Sequence, residues 1–206
     1  MKQKLAILLI AIGIFTIGWN VYHWYVQADT VTANSQQARS IDANWHNTVM
    51  QTGISDLAQE VKQDDEELNE GDEIGTLTIP KLEKIYPIYF GTDQETLEDG
   101  TGLYDTPYTV LPNQNGHTAI AGHRDTVFIG LDELEDGDRL YITFNHTKYE
   151  YQIRKTWVTN AEDRTVIVEK EEPTLTLTTC YPFDFVGPAP DRYIVESELI
   201  SKETLK

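Results

Sequence analysis

The chain contains one cysteine, Cys180, and that scarcity excludes more than any other feature of its composition. A single thiol can form neither an internal disulfide framework nor a cysteine-based zinc finger. Basic residues are also short: 16 Lys plus Arg stand against 34 Asp plus Glu, a formal net charge of −18. Binding to a nucleic-acid backbone is driven by basic residues that release counterions, so a chain this acidic is not suited to a nucleic-acid partner. Charge is missing altogether from Leu5 to Val26. With that run set aside, a chain of 206 residues has room for one ordinary domain and not two large ones.

The uncharged run LAILLIAIGIFTIGWNVYHWYV follows MKQK. As a helix it would extend about 33 Å at roughly 1.5 Å per residue, close to the hydrocarbon thickness of a bilayer. Lys2 and Lys4 favour a cytoplasmic start, and Trp19, Tyr22, Trp24 and Tyr25 make an aromatic band for the outer interface. Residues 1–28 are therefore expected to be a cytoplasmic tip and single-pass anchor that meets membrane lipid through residues 5–26, with the remainder extracellular. The rival is a cleaved signal peptide ending at Val26-Gln27-Ala28, against which the apolar run is longer than a signal core usually is. Residues 29–72 lose this apolar density. Between 56 and 73 there are nine acidic residues and one base, Lys62. Such like charges repel and bury little, so 29–72 is expected to be a solvated acidic stalk, with a helical turn or two around Ile54–Val61.

From Ile74 onward short runs rich in Thr, Tyr, Ile and Val alternate with Gly, Pro, Asn and Asp. This texture predicts an all-β domain over 73–206. The expected strands are Gly75–Ile79, Ile85–Tyr89, Thr118–Gly122, Arg139–Asn145, Tyr149–Val158, Val166–Glu169, Thr174–Cys180 and Arg192–Glu196. Eight short strands suit a closed β-barrel, which removes exposed edges. Asn145-His146-Thr147-Lys148 reads as a hairpin turn. Thr92-Asp93-Gln94-Glu95 has capping-box spacing and predicts a short helix through Leu97.

Alternation along Thr174–Cys180 puts the leucines on one face and Thr174, Thr176, Thr178 and Cys180 on the other. Tyr181-Pro182 then ends the strand, leaving Cys180 beside a loop. An unpaired thiol facing an oxidising exterior is a liability, and its presence at a strand end points to reactivity. A cysteine nucleophile needs a partner that holds it as thiolate, and acyl transfer needs a proton donor for the leaving amine. Of the five histidines, His23 lies in the apolar run, His46 in the acidic segment and His146 in the turn. His117 and His123 bracket the run Thr118–Gly122, and the residues alone do not choose between them. An arginine remains protonated at any relevant pH and suits an oxyanion. Arg192 follows the loop after Cys180, with Arg124, Arg139, Arg154 and Arg164 as alternatives.

Ala121-Gly122-His123-Arg124-Asp125-Thr126, Leu175-Thr176-Leu177-Thr178-Thr179-Cys180 and Arg192, in that order behind an N-terminal anchor, resemble the signatures of the sortases. Thr179-Cys180-Tyr181-Pro182-Phe183 and Ala189-Pro190-Asp191-Arg192-Tyr193 are most similar to class D sortases of Gram-positive, spore-forming bacteria. The resemblance implies an eight-stranded sortase barrel with short helices. It further implies a cysteine transpeptidase that cleaves an LPxT[G/A] sorting signal after Thr through a Cys180 thioester. It assigns His123, rather than His117, as general acid and base, and Arg192 to the substrate and oxyanion. Thr179 could add a hydrogen bond to the substrate. The implied partners are secreted proteins carrying the sorting signal and an amino group of a peptidoglycan precursor. No cofactor is required; acidic residues could hold the calcium that some sortases use, but none has the spacing of a dedicated calcium loop. Two other readings use the same residues differently: a hydrolytic cysteine peptidase, and a non-catalytic surface domain whose acidic face binds cations or a partner.

Overall fold

A computed structural model describes residues 2–29, 31–57, 68–184, 187 and 189–205. Helix α1 spans Lys2–Asp29. Its Lys2–Val26 stretch is long and apolar enough to cross a membrane, a test that a signal sequence near an N-terminus also passes. The short elements β1 (Thr32–Ala33) and α2 (Ser35–Arg39) come next. The strands that follow are β2 (Glu73–Ile79), β3 (Lys84–Phe90), β4 (Thr101–Leu103), β5 (His117–Ala121), β6 (Arg139–Phe144), β7 (Thr147–Asn160), β8 (Thr174–Tyr181) and β9 (Asp191–Thr204). Between β3 and β4 lies α3 (Gln94–Asp99), whose N-cap is Asp93, one residue later than Thr92. The Asp93 carboxylate accepts from the backbone N–H groups of Glu95 and Thr96.

The sheet runs β1-β3-β2-β6-β7-β9-β8-β5-β4, and β4 pairs in turn with β3, which closes eight strands into the expected barrel. One edge of β3 is shared: β1 takes Lys84 and Ile85, and β4 takes Ile88 to Phe90. Closure depends on Gly102, because a Cβ there would stand 2.3 Å from the carbonyl oxygen of Gly91. The eighth barrel strand is thus Thr101–Leu103 and not Val166–Glu169. Residues 161–173 form an irregular connection between β7 and β8. The β6–β7 turn falls where expected, with Asn145 and His146 both at positive φ, the backbone that a two-residue hairpin of right-handed twist demands.

Residues 31–57 depart from the expected solvated stalk. Val31, Ala38 and Leu57 are buried. The barrel's own polar side chains bind the backbone of this segment, which lies against it as a strap. Arg139 donates to the Asn47 carbonyl, Arg154 to that of Gln51 and Lys148 to that of Ile41. The Gln152 amide accepts from the Gln51 N–H and donates to the Val49 carbonyl. At its far end the Leu57 N–H donates to Asn115, in the loop that leads into β5. Residues 54–57 are not helical, and the remainder of the expected helix, with most of the acidic run, lies outside the described residues.

The core follows strand alternation. Leu175 and Leu177 of β8 point inward and are fully buried beside Ile120 of β5 and Val195 of β9. Each such side chain stabilises the barrel by about 1.5–3 kcal/mol. The opposite faces of these three strands carry the residues of chemical interest.

Candidate active site

Strand β8 is flanked by β9 antiparallel and by β5 parallel, and the two registers determine what meets at its end. Cys180 stands directly opposite Arg192 on β9. Directly opposed residues project to the same face at close range, so the thiol and the guanidinium share the outer face. On the other side Thr178 pairs with Ala121, and the Gly122 N–H donates to the Thr178 carbonyl at 3.2 Å. His123 is two residues beyond Ala121, as Cys180 is two beyond Thr178, so the chain at His123 leaves β5 at the Cys180 end of β8. Cys180, His123 and Arg192 thus converge at one end of three neighbouring strands. All three are half-buried, neither sealed in the core nor lost to solvent. Among the described residues no carboxylate forms an ion pair with Arg192; its Nη1 donates to the carbonyls of Asp191 and, at 3.4 Å, Ala189.

The surroundings hold these groups in place. Gly122 has no room for a side chain, because a Cβ would stand 2.7 Å from the ring of Phe128. Phe128 returns to that spot because its N–H and that of Val127 donate to the His123 carbonyl, at 2.8 and 3.1 Å. Thr179 faces the interior with only 3% exposure, and its hydroxyl donates to the Gly122 carbonyl at 2.7 Å. The hydroxyl thus ties the chain leaving β5 to the Cys180 end of β8. Arg124, next to His123, is buried and donates to the carbonyls of Pro182 and Gly187, at 2.9 and 3.3 Å. It therefore clamps the connection between Cys180 and Arg192. The rings of Tyr181, Phe183 and Tyr193 pack together at the base of that connection.

The alternative arginines are accounted for elsewhere. Arg139 pairs with Glu150 in the barrel wall, Arg154 pairs with Glu198 at 2.8 Å, and Arg164 is exposed in the β7–β8 connection. His46 and His146 are exposed and remote in the fold.

The structure separates the two histidines that the residues alone did not. His117 is fully buried at 0% exposure. Its Nδ1 lies 2.7 Å from the Val168 carbonyl and its Nε2 lies 2.7 Å from the Thr176 hydroxyl. A carbonyl only accepts, so Nδ1–H donates and Nε2 accepts from Thr176 in the neutral ring. Burial holds its pKa below the ordinary histidine value; the hydrogen bond to the Val168 carbonyl and the charge of Glu196 oppose this, and Lys170 adds to it. Neither ring nitrogen is available to a reacting group. Sequence reasoning did not see this role, although a signal was present: His117, Ala119 and Ala121 alternate onto the face opposite the buried Ile120. Among the described residues no three of His, Cys, Asp and Glu gather as metal ligands.

A family model described as the sortase domain matches residues 77–200. Sortase D of Bacillus subtilis (strain 168) is 35% identical over 205 residues, spanning 98% of this chain and 100% of that protein. The catalytic domain of B. anthracis SrtD is 47% identical with a TM-score of 0.60, covering 72% of this chain and 100% of that one. A Clostridium perfringens Sortase D5 transpeptidase is 33% identical with a TM-score of 0.61, covering 68% of this chain and 86% of that one. Joined to a closed barrel that carries a thiol, an imidazole and a guanidinium at one strand end, these likenesses place the chain in the sortase family of cysteine transpeptidases, with class D sortases among its relatives.

Proposed function

We propose that the chain cleaves an LPxT[G/A] sorting signal between Thr and Gly or Ala and passes the acyl group to an amine of a cell-wall precursor, with Cys180 as nucleophile. The observation that supports this reading is the register that sets Cys180 opposite Arg192 and brings the chain just before His123 against the same end of β8. Sγ of Cys180 adds to the threonine carbonyl as thiolate, and the negative charge moves to the carbonyl oxygen. Arg192, cross-strand from the thiol, is placed to meet that oxygen with a permanent charge. Collapse breaks the C–N bond while the His123 imidazolium gives its proton to the leaving amine, leaving a thioester and a neutral imidazole. The incoming amine then attacks the thioester, His123 takes its proton, and the thiolate departs to restore the starting state.

Residues 5–26 anchor this domain, with Lys2 and Lys4 on the cytoplasmic side and the barrel outside, where a secreted substrate and a lipid-linked acceptor both arrive. The same thioester can be resolved by water, as in a peptidase. One experiment addresses both outcomes: the full chain is incubated with a sorting-signal peptide and increasing amounts of an amine, and the products are weighed. A Cys180 thioester and an amide product that replaces the acid as amine rises support transfer. Products that stay hydrolysed at high amine would make the chain a peptidase.

A further inference from the structure

The connection from β7 to β8 starts beside Arg192 and ends beside His117. Asn160 pairs with Asp191, the Ala161 N–H donates to the Pro190 carbonyl, and the Thr174 N–H donates to that of Gly116. Between these ends the segment crosses the outer face of β9 and β8. Ala119, Thr176 and Ile194 face outward there, yet each is buried; Thr178, nearer Cys180, meets the Tyr104 hydroxyl at 3.1 Å. Cys180 lies at the end of this face, and the inner one is packed core. Two contacts pin the middle of the segment: His117 with Val168, and Lys170 with Glu196 of β9 at 2.8 Å.

We infer that His117 is a positioning residue which, by bridging Val168 of the connection to Thr176 of the Cys180 strand, holds residues 161–173 over the approach to the thiol and releases them when it is protonated. The argument is geometric. A neutral ring satisfies the Val168 carbonyl and the Thr176 hydroxyl together, whereas an imidazolium at this site is a buried charge. The groups facing it compensate only in part: burial outweighs the Val168 carbonyl and Glu196, which both favour the charged ring. Glu196 of β9 lies nearby, but it is already bound by Lys170 of the connection and Lys155 of β7, at 2.8 and 3.1 Å. Glu198, opposite Thr174 of β8, is bound by Arg154 of β7. Val110 of the β4–β5 loop, whose N–H donates to the His117 carbonyl, and Thr174 and Thr176 of β8 bring no charge. Lifting the connection hydrates the ring, so acid favours the lifted state.

The effect on turnover rests on Cys180 being the nucleophile, but the opening itself does not. The test is amide hydrogen exchange of residues 161–173 in the full chain, corrected for intrinsic rates, at about pH 7.5 and about pH 5.5, either side of the histidine range. Wild type should lose protection there on acidification, on the order of tenfold. His117→Gln, whose amide can still donate to one oxygen and accept from the other without titrating, should keep the segment protected at both values. His117→Ala should leave it open at both, with KM for a sorting-signal peptide lowered several-fold as the approach is uncovered, on the order of 1 kcal/mol, and kcat little changed. Equal acid opening in wild type and His117→Gln, or protection in His117→Ala equal to wild type, would overturn the inference. Exchange that follows residue 117 in a protein that forms no thioester with any peptide would uphold the latch and reject the transpeptidase reading.

Discussion

Two histidines stand six positions apart, one opening β5 and one two residues beyond its end, and their surroundings are opposite. At the His117 end every polar atom is used: the ring is buried, both nitrogens are engaged, and a loop is fixed by it. At the His123 end the ring is half-exposed, near the strand end that carries Cys180 and Arg192, while the backbone around it is held by Phe128, Thr179 and Arg124. A histidine engaged at both nitrogens builds structure, and one left open at the mouth of a barrel can move protons. The contrast lies in partners, not in the residue.

Breaking the open end should give the largest effect. Cys180→Ala should abolish acyl-enzyme formation in a mass-spectrometric assay. His123→Ala should lower kcat/KM by about 10²–10⁴, and Arg192→Ala by about 10²–10³. The thermal midpoint should stay near that of wild type in all three, since none of these side chains fills the core. At the closed end the balance reverses. His117→Ala strands the Val168 carbonyl and the Thr176 hydroxyl around a cavity, and urea unfolding should show a loss of about 2–4 kcal/mol. Gly122→Ala lies between the two. Its methyl meets the Phe128 ring at 2.7 Å, so a stability loss of about 1–3 kcal/mol from overpacking should accompany slower acylation as His123 is displaced. The smallest effect is on pH. Because burial lowers the folded-state pKa of His117, its neutral form contributes stability that is fully present above the unfolded value of about 6.5 and is lost as pH falls below it. Urea midpoints in wild type should therefore decline on acidification more than those in His117→Gln.

Much of this was legible in the residues because strands announce themselves by alternation. Thr174–Cys180 placed its leucines inward and Cys180 outward, and the register agrees. What escaped detection lacked such a period. Thr101–Leu103 is three residues with a glycine at its centre, too short to alternate, yet it closes the barrel. Val166–Glu169 has the composition of a strand, but the Val168 carbonyl goes to a side chain instead of a ladder. The 31–57 segment looked like a spacer because its own side chains are polar. It is held through its backbone carbonyls by Arg139, Arg154, Lys148 and Gln152, which no local reading of that segment can reveal. Choosing His123 over His117 required either a family resemblance or the hydrogen bonds themselves.

The central claim is that Cys180 is the nucleophile of an acyl transfer, and the most direct test is the intact mass of the full chain after brief mixing with an LPxT-containing peptide. A mass increase equal to the acyl portion ending in Thr, mapped to Cys180 and discharged by an added amine, is the predicted result. An unchanged mass across a panel of sorting-signal peptides, in a protein whose thiol is free and whose barrel is folded, would contradict it.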